Sequence, residues 1–273
     1  LSDHKSITFI GAGNMARSLI RGLLASGYPA NAIIASDPVA AQREELSTAG
    51  IQCLDDNSKA CRNADVIVLA VKPQVLGEVL GGIAGLRPEQ LLISIAAGVP
   101  IASLSAWTSP EQAIVRCMPN TPALLGAGIT GLYPNSRVDA DQRASAEAIL
   151  DAAGRTLWVD REELLDAVTA VSGSGPAYFF YLMEAMINSG VKLGLDPDTA
   201  RALTIETAYG AALMAREGSD EPSQLRSNVT SPGGTTERAL SILDAAGVSD
   251  TVLAALTGAS DRSQELAEEF GQS

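Results

Sequence analysis

The chain has 273 residues, 46% of them hydrophobic but only 4% aromatic, and 32 acidic side chains against 19 lysines and arginines give a net charge of -13. That length suits one large domain or two ordinary ones with a core of Ala, Leu, Val and Ile, while the acidic balance argues against nucleic acid and anionic membrane surfaces as partners. Three scattered cysteines (Cys53, Cys61, Cys117) read as reduced thiols of a cytoplasmic protein, and His4 as the only histidine argues against Ser-His-Asp chemistry and a metal site.

Residues 1–6 are polar and the apolar run 7–13 leads into glycines, so no signal peptide is expected. From there short β-branched runs alternate with helical patterns. "SITFIG" (6–11), "AIIAS" (32–36), "DVIVLAV" (65–71), "LLISIA" (91–96) and "AIVRCM" (113–118) read as buried strands. Further strands are expected near "GITGLY" (128–133) and "TLWV" (156–159). This alternation predicts a doubly wound parallel sheet of the Rossmann kind over residues 1–160. From about Glu162 the strands stop, and residues 161–273 read as an all-helical domain. "SGSGPAY" (172–178) is expected to open the longest helix, with Tyr178 packed in a core and its hydroxyl bonded. The apolar stretch 175–190 is too short to span a membrane and carries Glu184. Asp196-Pro197 and Ser231-Pro232 are start signals; Gly194, Gly218 and Gly247 are stops. Helices rich in Ala, Gly and Leu on more than one face fit either pairing with a second copy or an ordinary bundle.

"FIGAGNMARSLIRGLL" (9–24) places Gly11, Gly13 and Ala16 as G-x-G-x-x-A between a strand and a helix. Gly11 permits the tight turn, Gly13 lets backbone approach a pyrophosphate, and Ala16 keeps the helix close to the sheet. The stretch Gly11, Ala12, Gly13, Asn14, Met15 is therefore the expected phosphate-binding turn, at a helix N-terminus. At the next strand end, Asp37 favours a free ribose 2′-hydroxyl, whereas Ser36, Arg43 and Asn57 are able to receive a 2′-phosphate. "LAVKPQ" (69–74), "AAGVP" (96–100) and "RCMPNTP" (116–122) end three strands at the edge where ligands of such sheets bind. In "TSPGGTTERAL" (230–240), Ser231 reads as an N-cap and Pro232 as the first helical residue. Gly233, Gly234, Thr235 and Thr236 offer N–H and O–H donors, a means of holding a carboxylate without a cationic side chain.

Taken together, "FIGAGNMA", "LAVKPQ", "AAGV", "RCMPNTP", "SGSGPAY" and "NVTSPGGTT", in that order over most of the chain, resemble the pyrroline-5-carboxylate reductases of proline biosynthesis. The resemblance implies reduction of L-1-pyrroline-5-carboxylate to L-proline with NADPH, or with NADH. It implies a Rossmann domain followed by a helical domain that interlocks with a second subunit, with dimers assembling further into rings as large as a decamer. It implies that Ser231, Gly233, Gly234, Thr235 and Thr236 hold the substrate carboxylate. Thr236 would be the catalytic hydroxyl at the ring nitrogen, with Glu162 and Asn228 near the substrate. Ala70, Val71, Lys72, Pro73, Ala97 and Gly98 would line the cofactor, and Asn57 its adenosine ribose. Asp37 is the departure, because an acid there repels a 2′-phosphate.

Two other readings compete. A β-hydroxyacid dehydrogenase shares the plan but uses a lysine one turn into the long helix, and here none occurs until Lys192. A dinucleotide sensor would keep the glycine fingerprint without any need for "SPGGTT".

Overall fold

The computed structural model describes residues 4–271. Its chain order is β1 (Ile7–Ile10), α1 (Asn14–Ala25), β2 (Ile33–Ser36), α2 (Ala40–Thr48), β3 (Gln52–Leu54), α3 (Asn57–Cys61), β4 (Val66–Leu69), α4 (Pro73–Gly81), β5 (Leu91–Ser94), α5 (Ile101–Trp107) and β6 (Ala113–Met118). There follow β7 (Gly128–Pro134), α6 (Ala140–Asp151), β8 (Gly154–Trp158), α7 (Leu164–Val168), a π-helical turn (Thr169–Gly173), α8 (Gly175–Lys192), α9 (Pro197–Glu217), α10 (Pro222–Asn228), α11 (Thr235–Ala245) and α12 (Val248–Gly271). By contacts the chain forms two units, one of residues up to Ser174 together with Gly258 onward, the other Gly175–Thr257.

The first unit is built on one eight-stranded sheet in the order β3-β2-β1-β4-β5-β6-β7-β8. Side chains alternate across it, as the period of a strand requires. Phe9, Val68, Ile93 and Val115 pack on one face with Leu19, Ile20, Leu23, Ile149 and Leu150. Ile10, Ile67, Leu69, Leu92 and Ile114 pack on the other with Leu76, Leu80 and Leu104. Both faces are covered by helices, which is why these strands read as continuous apolar runs. The order reverses between β1 and β4, and the carboxyl ends of β1, β2 and β4 open there on one edge.

Three expectations are corrected. The sheet is not wholly parallel: β7 runs antiparallel to β6, Val115 opposite Pro134 and Met118 opposite Gly131. Residues 119–127 between them are too few for a parallel crossover, so the chain must turn back. Strand β3, beside β2, is an addition to the expected set. The longest helix is α12 with 24 residues, ahead of α9 with 21, while α8 has 18.

In the second unit, α8 and α9 pack closely where Gly190 meets Ala200 and Leu195. Asp196 caps α9 by accepting from Thr199 N–H, with Pro197 next, and Gly218 ends it. The capping bonds to Thr199 hold the Asp196 carboxyl below its usual range. Phe179, Phe180, Tyr181 and Leu182 on α8, and Leu203, Tyr209 and Met214 on α9, are exposed in the single chain. Tyr178, expected in a core, is only half-buried. No single helix among the described residues is long and apolar enough to cross a membrane.

Candidate functional site

The glycine-rich turn joins β1 to α1. Gly11 has φ 97° and lies so close to the end of β4 that a Cβ there would stand 2.5 Å from the Ala70 carbonyl oxygen. Only glycine meets both conditions. Gly13, by contrast, is the N-cap of α1, and a Cβ on it would meet nothing within 4 Å. Its missing side chain leaves space that no protein atom fills. The first turn of α1 has no side-chain cap and no acid, so its amides and the positive end of its dipole face that space. Ala16 is fully buried against the sheet. A dinucleotide pyrophosphate fits this turn on those grounds.

A cavity of about 850 Å³ opens at this point and is lined by Gly11, Gly13, Ser36, Asp37, Asn57, Ala70, Val71 and Lys72 among the expected cofactor residues. Ala12 is fully buried behind it, Asn14 is exposed, and Met15 is half-buried against the core. Pro73 is the first residue of α4 after Lys72, its N-cap. Ala97 and Gly98 lie in the turn between β5 and α5, outside the cavity lining.

At the ribose end Asp37 is anchored on backbone amides. Its two carboxylate oxygens accept Ala12 N–H at 2.9 Å and Val39 N–H at 2.8 Å, so it ties the glycine turn to the end of β2. Arg43 donates to the Asp37 carbonyl at 2.5 Å. Ser36 donates to Asn57 Oδ1 at 2.6 Å. The sequence reading missed Asp55, Asp56, Val75, Glu78 and Val79, which also line the cavity. The last three were legible, since positions 75, 78 and 79 form one face of a helix. Asp56 caps α3 through Lys59 N–H, and the Lys59 bonds hold its carboxyl below the usual range.

The strand ends of β5 and β6 are tied by Glu162 and Asn120. Glu162 Oε1 accepts Ile101 N–H at 2.8 Å and Arg116 Nη1 at 2.9 Å. Asn120 accepts Ile129 N–H and donates to the Ser172 carbonyl, so its amide is spent on backbone.

In the second unit the "SPGGTT" stretch does start a helix, but later than Ser231-Pro232 suggests. Gly233 sits at φ 70°, a conformation no helix continues through, and α11 begins at Thr235 with Gly234 as N-cap. No side chain caps the N-cap residue in the usual way. Gly234 N–H donates to the Ser231 carbonyl at 3.0 Å, and Gly233 N–H donates to Glu237 Oε2 at 2.7 Å. The amide of Gly233 thus already holds a carboxylate. Thr235 and Thr236 occupy the first turn, where amides have no intrahelical partner. A hollow of about 370 Å³ is lined by Gly233, Gly234, Glu237, Arg238 and Ser241. Asn228, at the end of α10, is exposed and bonds Gln224 and Asp220.

Burial pushes the Cys61 thiol up to about 12 and raises that of buried Cys117 further, so both are inert thiols. Among the described residues no group of three or more His, Cys, Asp or Glu side chains is placed to hold a metal ion.

Such a sheet, with a bare helix N-terminus beside an open cavity at its switch point, defines a dinucleotide-dependent oxidoreductase of the Rossmann class. The family model described as NADP oxidoreductase, coenzyme F420-dependent, matches residues 6–98, and that for pyrroline-5-carboxylate reductase dimerisation matches residues 162–266. A pyrroline-5-carboxylate reductase of Pseudomonas aeruginosa is 54% identical over 97% of this chain and 98% of its own. The solved pyrroline-5-carboxylate reductase of Coxiella burnetii superposes with a TM-score of 0.91 at 42% identity, covering 96% of this chain and 98% of that one. The Plasmodium falciparum pyrroline carboxylate reductase, solved with NADP bound, gives 0.86 at 30% identity over 97% and 99% of the two chains. The chain belongs to the pyrroline-5-carboxylate reductase family, enzymes that reduce L-1-pyrroline-5-carboxylate to L-proline with NAD(P)H.

Proposed function

We propose that residues 1–160 bind NADPH, or NADH, and that residues 161–273 hold the imine and pair the subunits. The observation that carries the substrate assignment is the start of α11, where the first-turn amides have no side-chain cap, two threonines stand at the first two helical positions, and Arg238 lines the adjoining hollow. Glu237 bonding Gly233 N–H supports it, since a carboxylate already fits there. Ser231, Gly233, Gly234, Thr235 and Thr236 hold the substrate carboxylate, with Asn228 beside them, and Glu237 gives way to it. Thr236 bonds the ring nitrogen and is the catalytic hydroxyl.

On the cofactor side, the amides from Gly11 to Met15 hold the pyrophosphate. Ser36, Asp37 and Asn57 meet the adenosine ribose. Ala70, Val71, Lys72, Pro73, Ala97 and Gly98 line the path to the nicotinamide. When bound, the dinucleotide supplies a hydride from C4 of its nicotinamide. The protein's contribution is alignment, because a protonated cyclic imine is already a good hydride acceptor and needs no strong general acid. The protein works in the cytoplasm as a homodimer, which is able to assemble into a decamer.

The test is a pair of substrates. L-1-pyrroline-5-carboxylate should be reduced with a kcat/KM at least about a hundredfold above that of 1-pyrroline, which lacks the carboxylate. Equal values would remove the carboxylate cradle from this reading.

A further inference from the structure

The turn 95–100 between β5 and α5, which carries Ala97 and Gly98, is held from two sides. On one side stands Glu162, whose Oε1 takes both Ile101 N–H and the Arg116 guanidinium. Arg116 is in register with Ser94, the last residue of β5, so this ion pair lies level with the point where the turn leaves the sheet. The Arg116 side chain is 7% exposed, and among the described residues Glu162 is its only ion-pair partner.

On the other side lies the end of α12. A Cβ on Gly98 would come 3.3 Å from Leu266 and 3.4 Å from the ring of Phe270. The two supports are themselves joined. Asp166, in the helix that Glu162 precedes, accepts the Ser263 hydroxyl of α12 at 2.7 Å. Both of these residues are buried. The path from Ile101 through Glu162, α7, Asp166, Ser263 and α12 therefore closes on itself around one turn, within one unit.

We propose that Glu162 is a positioning residue for hydride transfer, fixing the turn on which the nicotinamide rests through Arg116 and Ile101 N–H, with the Asp166–Ser263 bond as its brace. The proposal rests on the function proposed above, in which Ala97 and Gly98 line the cofactor. It gives Glu162 a task other than substrate contact, since one carboxylate oxygen already takes a backbone amide and a guanidinium. Loosening such a turn leaves binding groups in place but spreads the donor–acceptor geometry, to which hydride transfer is steeply sensitive.

The experiment compares the wild type with Glu162→Gln, Ser263→Ala and, as a control, Glu163→Gln. Each is assayed with L-1-pyrroline-5-carboxylate and NADPH, unlabelled or deuterated at the transferred position. Glu162→Gln should lower kcat by on the order of tenfold, keep KM for the imine within about twofold, and raise the isotope effect on kcat. Ser263→Ala should move the same quantities in the same direction, by about threefold in kcat. Glu163→Gln should match the wild type. Overturning results are an unchanged kcat and isotope effect in both folded variants, or a rise in KM for the imine at constant kcat. The latter would place Glu162 on the substrate. If Glu162→Gln does not fold, Ser263→Ala decides alone. A wild type that reduces no imine would refute the underlying function instead, so the two failures are distinct.

Discussion

At the residue scale the two glycines of the fingerprint do different work, and substitution separates them. Gly11→Ala drives a methyl group onto the Ala70 carbonyl at φ 97° and should cost more than about 2 kcal/mol of stability, read as a fall in Tm. Gly13→Ala meets no protein atom, so Tm should hold while the Kd for NADPH rises on the order of tenfold. Equal loss of stability in the two variants would contradict the assignment of that space to a ligand. On the substrate side, Thr236→Ala should lower kcat/KM by roughly tenfold or more, and full activity would remove the hydroxyl from the chemistry. Glu237→Ala should lower KM for the imine, because the carboxylate that bonds Gly233 N–H no longer competes. The glycine fingerprint and the "SPGGTT" donors were legible from residue type and spacing. The partners of Asp37, Glu162 and Glu237 were not, since each depends on which backbone amide the fold brings opposite the carboxylate.

Elements were read best where a strand is buried on both faces. The runs around β1, β2, β4, β5 and β6 stand out because every side chain in them but Arg116 is apolar or small. Strand β3 has three residues, Gln52-Cys53-Leu54, and no apolar run to mark it. The reversal of β7 is legible in the short connection 119–127, which is below the reach of a parallel crossover. The start of α11 was misplaced because Ser-Pro is a good opening signal and the left-handed Gly233 overrides it. Burial of α3 also has a titration consequence. Cys61 keeps its proton up to about 12 when folded but loses it near its ordinary value when unfolded. Its contribution to stability is therefore intact at neutral pH and declines as pH rises from the unfolded toward the folded value. Thiol reagents at pH 8 should accordingly label neither Cys61 nor Cys117 in the native protein and both after denaturation, followed by mass spectrometry. Native labelling of Cys61 would contradict its burial.

At the scale of the whole molecule, the single chain leaves an apolar surface uncovered. Phe179 is 65% exposed and Tyr181 77% exposed on α8, and contiguous patches of this kind mark interfaces. Together with the match to the dimerisation model, this predicts that Phe179→Glu with Tyr181→Glu yields a slower-sedimenting species than the wild type. An unchanged sedimentation coefficient would place the interface elsewhere. Apolarity on several helix faces was visible in the sequence, but it fitted a bundle and a pair of subunits equally well; what tips the balance is the exposure of those faces once α8 and α9 have packed.

The most direct measurement is the absorbance at 340 nm with L-1-pyrroline-5-carboxylate, run with NADPH and with NADH in separate cuvettes. Absorbance should fall, matched by formation of L-proline, one for each dinucleotide oxidised. The ratio of the two rates would read the effect of Asp37 on the 2′-phosphate. No loss with either dinucleotide, while both still bind, would contradict the substrate site and leave a dinucleotide-binding protein without this reaction.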